Sequence, residues 1–379
     1  MLLTVVLVAL LIWGVVVARW VARLPMRALW RVLLALVLLP VAGYWPIVNW
    51  YFGNFSVMEL PRWLAIAAGG ALGALLLLAL LLVLRDLLGG VLRLLWPTAG
   101  RALVRSRAAG SVLALVALLL GAWGTWQAVK LPEVRAVEVV LPGLPPAFDG
   151  YRIVQLSDLH AGVINRAPWM AGVVERVNAL APDLIVITGD FQDGLVAARA
   201  AHVAPLARLA SRDGVIGVPG NHEYYVNYGG WMQALRALGI TLLENAHVLV
   251  ARGGARVALV GLTDRQAGAF GQAMPDLAAA TRGLPPGVER IVLSHRPDTA
   301  RDVAASGAVL ELAGHTHGGQ IRGIDLLTQW ANNGYVSGLY QVGRMWLYVS
   351  NGTGLWPGLP VRLGRPSEIT LLTLRARAP

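Results

Sequence analysis

The sequence predicts a membrane-embedded α-helical bundle followed by an α/β domain, and three observations lead to this fold class. Apolar residues make up 56% of the 379 residues and charged residues only 14%, which is more apolar than soluble proteins usually are. The excess lies before Lys130, where long runs of Leu, Val and Ala occur. Beyond it, short β-rich runs alternate with helical patterns. We therefore expect a helical anchor at residues 1–130 and a globular domain at residues 131–379.

The net charge of +11 is divided as unevenly as the apolar residues. Residues 1–130 contain eleven Lys and Arg against two acidic residues, whereas the remainder contains 21 basic and 19 acidic residues. The excess of Lys and Arg therefore lies in the apolar part of the chain, where it indicates orientation in a membrane. We expect no nucleic-acid binding. The chain contains no cysteine, which excludes disulfides, thiolate nucleophiles and cysteine-ligated zinc.

Four apolar runs approach or exceed the length needed to cross about 30 Å of hydrocarbon. They cover residues 2–18, 32–48, 64–84 and 112–129. The second is the weakest because Pro40 and Pro46 interrupt it, although neighbouring helices can satisfy the backbone carbonyls that a proline frees. A cleaved signal peptide does not fit the first run, since no positive residue precedes it and no cleavage site of small residues comes before Arg19. We expect four uncleaved spans.

Arginine determines the predicted orientation of these spans. The loops after the first and third runs are rich in Arg, whereas the loop between the second and third has only Arg62. The positive-inside rule places the Arg-rich loops in the cytoplasm, so the domain at residues 131–379 is expected on the extracytoplasmic side. The arginines concerned are Arg19, Arg23, Arg27, Arg31, Arg85, Arg93, Arg101, Arg105 and Arg107.

The predicted spans contain no cluster of polar residues, so a transport path is not indicated. The bundle is expected to be an anchor, or a groove that presents lipid substrates. Residues 87–107 fit either an amphipathic helix along the inner surface or a plain basic loop.

The second part of the chain alternates strands with helices at first and is rich in strands later. This order predicts an α/β domain with more than one sheet. Strands are predicted at 137–141, 152–156, 184–188, 215–218, 248–251, 257–260, 290–293, 309–312, 346–349 and 368–374. Helices are predicted at 168–180, 196–210, 230–238 and 297–305.

Residues that can bind metal follow five of the predicted strands. The segments are Ser-Asp-Leu-His at 157–160, Gly-Asp at 189–190, Gly-Asn-His-Glu at 220–223, Ser-His at 294–295 and Gly-His-Thr-His at 314–317. Open α/β sheets place their sites at the carboxyl ends of strands, and five of the seven histidines lie in this set. A single segment of this kind is usually part of a turn or contains a histidine whose hydrogen bonds are satisfied within the fold. Five in this order favour a metal site.

The residue types indicate which metals to expect. Carboxylate, imidazole and amide oxygen together suit Mn, Fe or Zn rather than calcium. In a strand-like conformation, Asp-x-His and His-x-His would place both side chains on the same side. A lone carboxylate between two groups of ligands, here Asp190, can bridge two cations. Two such ions about 3.5–4 Å apart polarise phosphoryl oxygens and generate hydroxide at neutral pH.

The series SDLH, GD, GNHE, SH and GHTH resembles the calcineurin-like metallophosphoesterase superfamily over roughly residues 150–320. The segments GHTHGGQ and RLGRPSEITLLTL extend the resemblance to residue 374. With its apolar N-terminal part, the chain is similar to the transmembrane metallophosphoesterases of that superfamily. The resemblance implies two packed β-sheets flanked by helices, two divalent metal ions, and hydrolysis of a phosphate ester by a metal-bound hydroxide.

The resemblance also implies roles for eight residues, and each position holds the expected residue type. The ligands of the first metal are Asp158, His160 and His317. The bridging ligand is Asp190, and the ligands of the second metal are Asn221, His295 and His315. His222 would stabilise the phosphoryl transition state or assist the leaving group. Glu223 either orients His222 or starts the next turn.

Other residues whose side chains could bind metal or substrate lie outside these segments. The residues expected to be packing, surface or ordinary loop residues are His202, His247, Asp264 and Arg265. Arg322 and residues 351–354 could contact substrate, which residue types alone do not show. Trp330, Trp346 and Trp356 are expected to pack or to anchor the domain at a membrane surface.

The leading hypothesis is a membrane-anchored phosphohydrolase. A linker of a few residues after Lys130, about 10 Å when extended, would keep the site near the bilayer and favour a lipid-linked phosphoester. One alternative is a phosphodiesterase for nucleotides or other soluble phosphodiesters, with the helices as an anchor only. Another is a non-catalytic protein that binds metal or phospholipid, for which loss of His222 or Asp190 would be expected. The sequence indicates neither the substrate-binding residues nor the oligomeric state.

Overall fold

The computed structural model describes residues 2–376, and the chain divides into a helical unit and an α/β unit. The helical unit comprises residues 1–127 and 357–361, and the α/β unit comprises residues 128–356 and 362–379. The helices of the first part are α1 (Leu2–Arg19), α2 (Ala28–Ala42), α3 (Tyr44–Phe52), α4 (Arg62–Leu95), α5 (Pro97–Arg105) and α6 (Arg107–Val129).

Within the described residues, three of these helices are long and apolar enough to cross a membrane. A fourth span results if α2 and α3, which meet at an angle of 56°, are one bent span. Pro40 lies near the end of α2, where it removes a backbone donor and disfavours a straight continuation. The weak run at residues 32–48 is therefore divided between two helices.

The helical unit contains a short segment from late in the chain, residues 357–361. Trp45 Nε1 donates a hydrogen bond to the carbonyl of Gly358 at 2.6 Å. Gly69 of α4 gives this segment room, because a Cβ added there would lie 2.4 Å from Cδ of Pro360. The segment is thus packed among the helices rather than exposed as a loop.

The described residues of the α/β unit form twelve strands in two sheets. The strands are β1 (Glu133–Leu141), β2 (Arg152–Leu156), β3 (Leu184–Thr188), β4 (Val215–Val218), β5 (Thr241–Leu242), β6 (Ala246–Arg252), β7 (Ala255–Gly261), β8 (Glu289–Leu293), β9 (Leu310–Ala313), β10 (Gly338–Val342), β11 (Met345–Val349) and β12 (Glu368–Ala376). The sheet orders are β1-β12-β2-β3-β4-β5 and β10-β11-β9-β8-β7-β6. Strands β2 to β5 are parallel to each other, as are β7, β8, β9 and β11.

The described residues of this unit also form helices, most of which cover the outer faces of the two sheets. They are α7 (Ala167–Ala179), α8 (Val196–Val203), α9 (Asn221–Tyr225), α10 (Tyr228–Ala237), α11 (Leu277–Thr281), α12 (Ala300–Ala305) and α13 (Asp325–Ala331). One core cluster joins the sheets, with Ile153 and Val186 from the first and Leu259 and Leu293 from the second. Two further clusters pack α7, α8 and α10 on the first sheet and α11 and α12 on the second. The predicted fold of two packed sheets flanked by helices is confirmed.

Several elements differ from the sequence prediction. The helix predicted at 196–210 ends at Val203 and continues as a 3-10 turn, Ala204–Arg208, because Pro205 cannot donate within an α-helix. Strands β5 and β10 have no counterpart in the sequence prediction. β5 has only two residues, and β10 is an edge strand paired antiparallel to β11, so both carry little periodic signal.

Candidate metal centre

The eight candidate residues all lie just past the carboxyl ends of strands, and the fold brings them together at one edge. Asp158 and His160 follow β2, Asp190 follows β3, Asn221 and His222 follow β4, His295 follows β8, and His315 and His317 follow β9. The parallel arrangement within each sheet makes these ends adjacent. Six of the side chains are buried, and those of His222 and His315 are partly buried.

The backbone at five of these residues is left-handed rather than extended. The φ angles are positive at Asp158, His160, Asp190, His315 and His317, between 44° and 69°. The strand-like alternation expected for Asp-x-His and His-x-His is therefore wrong. Non-glycine residues in this region cost about 1–3 kcal/mol each and persist where surrounding structure or function requires them, so strain is concentrated at this edge.

A first group of ligand atoms consists of Asp158, His160 and His317. The Nε2 atoms of the two histidines are 3.3 Å apart, and Asp158 Oδ1 lies 3.5 Å from His317 Nε2 and 4.0 Å from His160 Nε2. Ligands bonded at about 2.1 Å to one ion are separated by roughly 3.0–3.4 Å. Asp158 Oδ1 is buried and accepts no hydrogen bond. This group therefore fits a divalent cation.

A second group surrounds His295 Nε2. This atom lies 3.1 Å from Asn221 Oδ1, 3.2 Å from His315 Nδ1 and 3.3 Å from Asp190 Oδ2. His295 Nδ1 donates to the carbonyl of Thr188 at 2.8 Å, so Nε2 is left as the ligating nitrogen. The amide nitrogen of Asn221 donates to Tyr225 Oη at 3.1 Å, which leaves the amide oxygen facing the group. The residues fit a second cation.

One carboxylate oxygen lies between the two groups. Asp190 Oδ2 is 3.6 Å from His160 Nε2 and 3.3 Å from His295 Nε2. The other oxygen, Oδ1, accepts from the backbone N–H of His222 at 2.9 Å, which fixes the orientation of the carboxylate. The two groups therefore share an atom.

The carboxylates make this edge favourable for positive charge. Burial lowers the pKa of His295, but the charges of Asp190 and Asp158 and a hydrogen bond donated to Asp190 raise it to about 10. Burial raises the pKa of Asp190, yet His295 and His222 hold it well below its usual range. The same carboxylates would stabilise cations in place of protons.

Asp193 was missed by the sequence analysis, although it connects His222 to the first group. His222 Nδ1 donates to Asp193 Oδ1 at 2.6 Å, and His160 Nδ1 lies 3.2 Å from the same oxygen. Burial lowers the pKa of His222, but Asp190 and Asp193 more than offset this and raise it to about 9. The available signal was the second Asp of Gly-Asp-Phe-Gln-Asp at 189–193.

The structure gives Glu223 a role other than orienting the His222 side chain. Its buried carboxylate accepts from the backbone N–H groups of Asp190 at 3.0 Å, Phe191 at 2.8 Å and Gly220 at 2.6 Å. It thereby caps the N-terminus of α9 and ties the loop after β3 to the loop after β4. Because Asp190 and His222 belong to those loops, Glu223 fixes their backbones.

The structure assigns Asp264 a contact that the ordinary-loop interpretation did not foresee. Asp264 is buried, and its Oδ2 accepts from Arg296 Nε at 2.8 Å. Arg296 Nη1 in turn donates to His315 Nε2 at 2.7 Å. Arg296 follows His295 directly, and the sequence analysis did not single it out. Arg265 is paired with Asp298 at 2.6 Å.

Residues 351–354 support the loop after β2 instead of lining an open surface. The backbone N–H groups of Thr353 and Gly354 donate to the carbonyls of Ser157 and Asp158 at 2.7 and 3.0 Å. Buried Arg362 donates to the carbonyls of His317 at 3.0 Å and Asn351 at 2.7 Å. These contacts join the two loops that carry the first group.

The remaining residues that the sequence analysis set aside lie elsewhere. His202 lies in α8, and His247 Nδ1 bonds the carbonyl of Ala280 at 2.7 Å. Trp346 packs against the core between the sheets and donates to the carbonyl of Val140 at 3.1 Å. Trp330, in contrast, is 84% exposed.

Comparison with known proteins agrees with this geometry. The family model of calcineurin-like phosphoesterases matches residues 151–319. A Bos taurus protein described as a transmembrane protein with metallophosphoesterase domain is 36% identical over 342 residues, which cover 85% of this chain and 76% of the bovine protein. The chain belongs to the calcineurin-like phosphoesterase family.

Further relatives of this calcineurin-like phosphoesterase carry related descriptions. A Danio rerio protein with the same description as the bovine one is 32% identical over 373 residues, which cover 94% of this chain and 83% of that protein. An uncharacterized metallophosphoesterase of Helicobacter pylori is 34% identical over 262 residues, 68% of each chain. Membership places the chain among metal-dependent phosphohydrolases, and like its transmembrane relatives it has helices able to span a membrane.

Proposed function

We propose that the chain is a membrane-anchored phosphoesterase with two divalent cations at one centre. The position of Asp190 carries this proposal, since a single carboxylate oxygen lies within 3.6 Å of ligand nitrogens from both groups. One cation would be held by Asp158, His160, His317 and Asp190. The other would be held by Asp190, Asn221, His295 and His315. When bound, such ions polarise phosphoryl oxygens and supply hydroxide as the nucleophile at neutral pH.

His222 is the proton donor of the proposed reaction. Its pKa, lowered by burial but raised overall to about 9 by Asp190 and Asp193, keeps the imidazole protonated at neutral pH. Nδ1 is held by Asp193, and Nε2 lies 3.9 Å from Asp190 Oδ2, so the free N–H faces the shared carboxylate. From there it would donate to a phosphoryl oxygen or to the leaving oxygen.

Arg296 is the cation available to the substrate phosphate. It donates to His315 Nε2 in the structure, and a guanidinium can only donate. If His315 ligates through Nδ1, which faces His295, the imidazole proton lies on Nε2 and Arg296 must turn away. Asp264 would keep its hydrogen bond from Nε of Arg296. The outer guanidinium nitrogens of Arg296 would then be left to donate to a phosphate oxygen.

The helical unit favours a substrate at a membrane, including a lipid-linked phosphoester. Soluble phosphodiesters such as nucleotides are the alternative, with the helices as an anchor only. We also propose that the α/β unit is extracytoplasmic. In support, Arg19 Nε lies 3.1 Å from Asp86 Oδ2, and Arg85 lies 2.7 Å from the other oxygen of Asp86. The arginines after the first and third apolar runs thus share one end of the helical unit.

The orientation is tested with single cysteines, because the chain has none of its own. Ala278→Cys reports on the α/β unit and Ala22→Cys on the first arginine-rich loop, and both residues are exposed. A membrane-impermeant maleimide should label Ala278→Cys in intact cells and Ala22→Cys only after permeabilisation. The reverse pattern contradicts the proposed orientation.

The catalytic proposal is tested with the full-length protein in detergent. Hydrolysis of bis-p-nitrophenyl phosphate and p-nitrophenyl phosphate is measured with Mn, Fe, Zn or no added metal, and bound metal is counted by elemental analysis. Metal-dependent turnover that is lost in Asp190→Asn supports the proposal. The matched control is Asp213→Asn, which removes a carboxylate bonded to Tyr151 outside the centre and should stay active.

Inactivity must be distinguished from the wrong choice of substrate. If metal-loaded protein hydrolyses neither ester, lipid-linked phosphoesters in vesicles are tried next. Continued inactivity of folded, metal-loaded protein would favour a non-catalytic protein that binds metal or phospholipid.

A further inference from the structure

The outer side of α13 exposes three large apolar residues. Leu326 is 65% exposed, Leu327 is 70% exposed and Trp330 is 84% exposed. Among the described residues of the α/β unit, the next most exposed large apolar side chain is Leu195 at 52%. We call the three residues the apolar face of α13. Such a concentration on a folded domain usually marks a contact surface.

The apolar face belongs to a helix that is held firmly in place. Trp330 is four positions after Leu326 and three positions after Leu327, so both leucines neighbour it on one side of the helix. On the opposite side, the buried carboxylate of Asp325 pairs with Arg365 Nη2 at 2.5 Å. At the other end, buried Asn332 donates to the carbonyl of Thr328 at 2.9 Å. The pair between Asp325 and Arg365 therefore holds the side opposite the apolar face against the rest of the domain.

The base of α13 packs against the loop that carries His315 and His317. A Cβ added to Gly319 would lie 2.4 Å from Cβ of Asp325, so only glycine permits this approach. Thr316 Oγ1 also donates to the carbonyl of Val336 at 2.7 Å, which ties the segment after α13 to the same loop. The apolar face is therefore a rigid extension of a metal-binding loop.

The chemistry of the face matches a bilayer surface. Trp prefers the headgroup level of a membrane, where its ring meets both apolar and polar surroundings, and the two Leu side chains would reach the acyl boundary. Arg322, just before the helix, is exposed and can meet lipid phosphates.

The chain also keeps a bilayer within reach. Only residues 130–132 separate α6 from β1, which span at most about 14 Å between the two elements. A second copy of the chain fits less well. Three such side chains expose on the order of 400–500 Å², about half of the roughly 800 Å² per partner in a stable interface.

We propose that the apolar face of α13 docks into the interfacial layer of the lipid bilayer, as a membrane contact in addition to the spanning helices. Docking would hold the loop with His315 and His317 at the level of the headgroups. A further consequence, which rests on the proposed phosphoesterase function, is that the substrate carries its phosphate ester at the bilayer surface.

The test uses the full-length protein in nanodiscs of phosphatidylcholine. Leu326→Cys and Trp330→Cys are labelled with an environment-sensitive fluorophore, and Ala278→Cys, at an exposed helical position of α11, is the matched control. We expect a blue-shifted emission and quenching by doxyl-labelled lipid at positions 326 and 330, with neither at position 278.

Three outcomes would overturn the proposal. Labels at 326 and 330 that are open to iodide and unaffected by doxyl lipid show that the face is in water. Labels shielded from iodide but not quenched by lipid show that protein covers the face, as in a second copy. Equal lipid quenching at all three positions shows a contact without preference for α13.

A second measurement separates docking from catalysis. The double variant Leu326→Glu, Trp330→Glu should keep its hydrolysis of soluble bis-p-nitrophenyl phosphate and lose hydrolysis of phosphoesters embedded in vesicles. Equal rates for wild type and variant on both substrates would overturn the consequence for substrate. Because quenching is measured without turnover, failure of the phosphoesterase proposal leaves the docking result interpretable.

Discussion

Replacement of Asp193 by Asn tests whether a protonated His222 takes part in the reaction. The substitution keeps the shape of the side chain and removes its charge, which His222 Nδ1 meets at 2.6 Å. A hydrogen bond to a charged partner contributes about 1.5–3 kcal/mol, and one pKa unit corresponds to about 1.36 kcal/mol. The pKa of His222, which Asp190 and Asp193 raise, should therefore fall by about 1–2 units.

The direction of the pH effect follows from the form of His222 that acts. The protonated imidazole is the donor, so activity is present below its pKa and lost as the pH rises through it. Lowering the pKa should move the alkaline limb of kcat/KM, which reports on the free enzyme, down by the same 1–2 units. The loss of rate should be greater for alkyl than for aryl phosphodiesters, because a poorer leaving group depends more on a proton donor.

The assay is the pH profile of kcat/KM for both esters at saturating metal. Saturation matters because His160 also contacts Asp193, and loss of a contact to a ligand can weaken metal affinity about 10–100-fold. The control Asp213→Asn, which loses the bond from Tyr151 at 2.6 Å, should leave the profile in place. An alkaline limb that does not move in metal-saturated Asp193→Asn refutes the role given to His222.

Three further predictions follow from the same contacts. Asp190→Asn should lower the metal content from two ions to one or none, which elemental analysis of the purified protein measures; two tightly bound ions would contradict a shared ligand. Arg296→Gln should raise KM by about 10–100-fold, the effect of losing a charge-assisted bond, with unchanged metal content; an unchanged KM removes Arg296 from the phosphate site. Burial raises the pKa of Glu311 to about 8, so its stabilising effect is complete below the unfolded value of about 4.5 and is lost as the pH rises through 8. Glu311→Gln should thus flatten the decline of Tm between about pH 4.5 and pH 8, and parallel curves for both proteins would count against it.

Most of the candidate metal centre could be predicted because its residues directly follow strand ends. A buried strand followed directly by Asp, Asn or His is visible in the sequence, and parallel packing then brings the ends together. Asp193 and Arg296 were missed for different reasons. Asp193 lies past the motif in an irregular loop, and its contact with His222 depends on how two loops meet. Arg296 is paired with Asp264, 32 positions earlier, and no local pattern indicates such a pair.

The helical part was predictable in composition and less so in detail. Hydropathy locates apolar runs, but the bend between α2 and α3 depends on how a Pro-containing segment packs. The inclusion of residues 357–361 in the helical unit had no signal in the sequence, because the segment is short and lies far from the other apolar runs. Its place depends on a close approach that Gly69 permits. The position of this segment thus depends on tertiary packing, which the periodicity of apolar residues does not show.

The strained backbone of the centre and the burial of the Asp158 carboxylate both oppose folding when no cation is bound. Five residues at positive φ each cost about 1–3 kcal/mol, and Asp158, buried beside Asp190, has its pKa raised by that burial and by the neighbouring charge. Divalent ions would compensate both costs, since they would neutralise Asp158 and their binding free energy would add to the stability of the folded state. The folded centre would therefore be more stable with cations bound than without them.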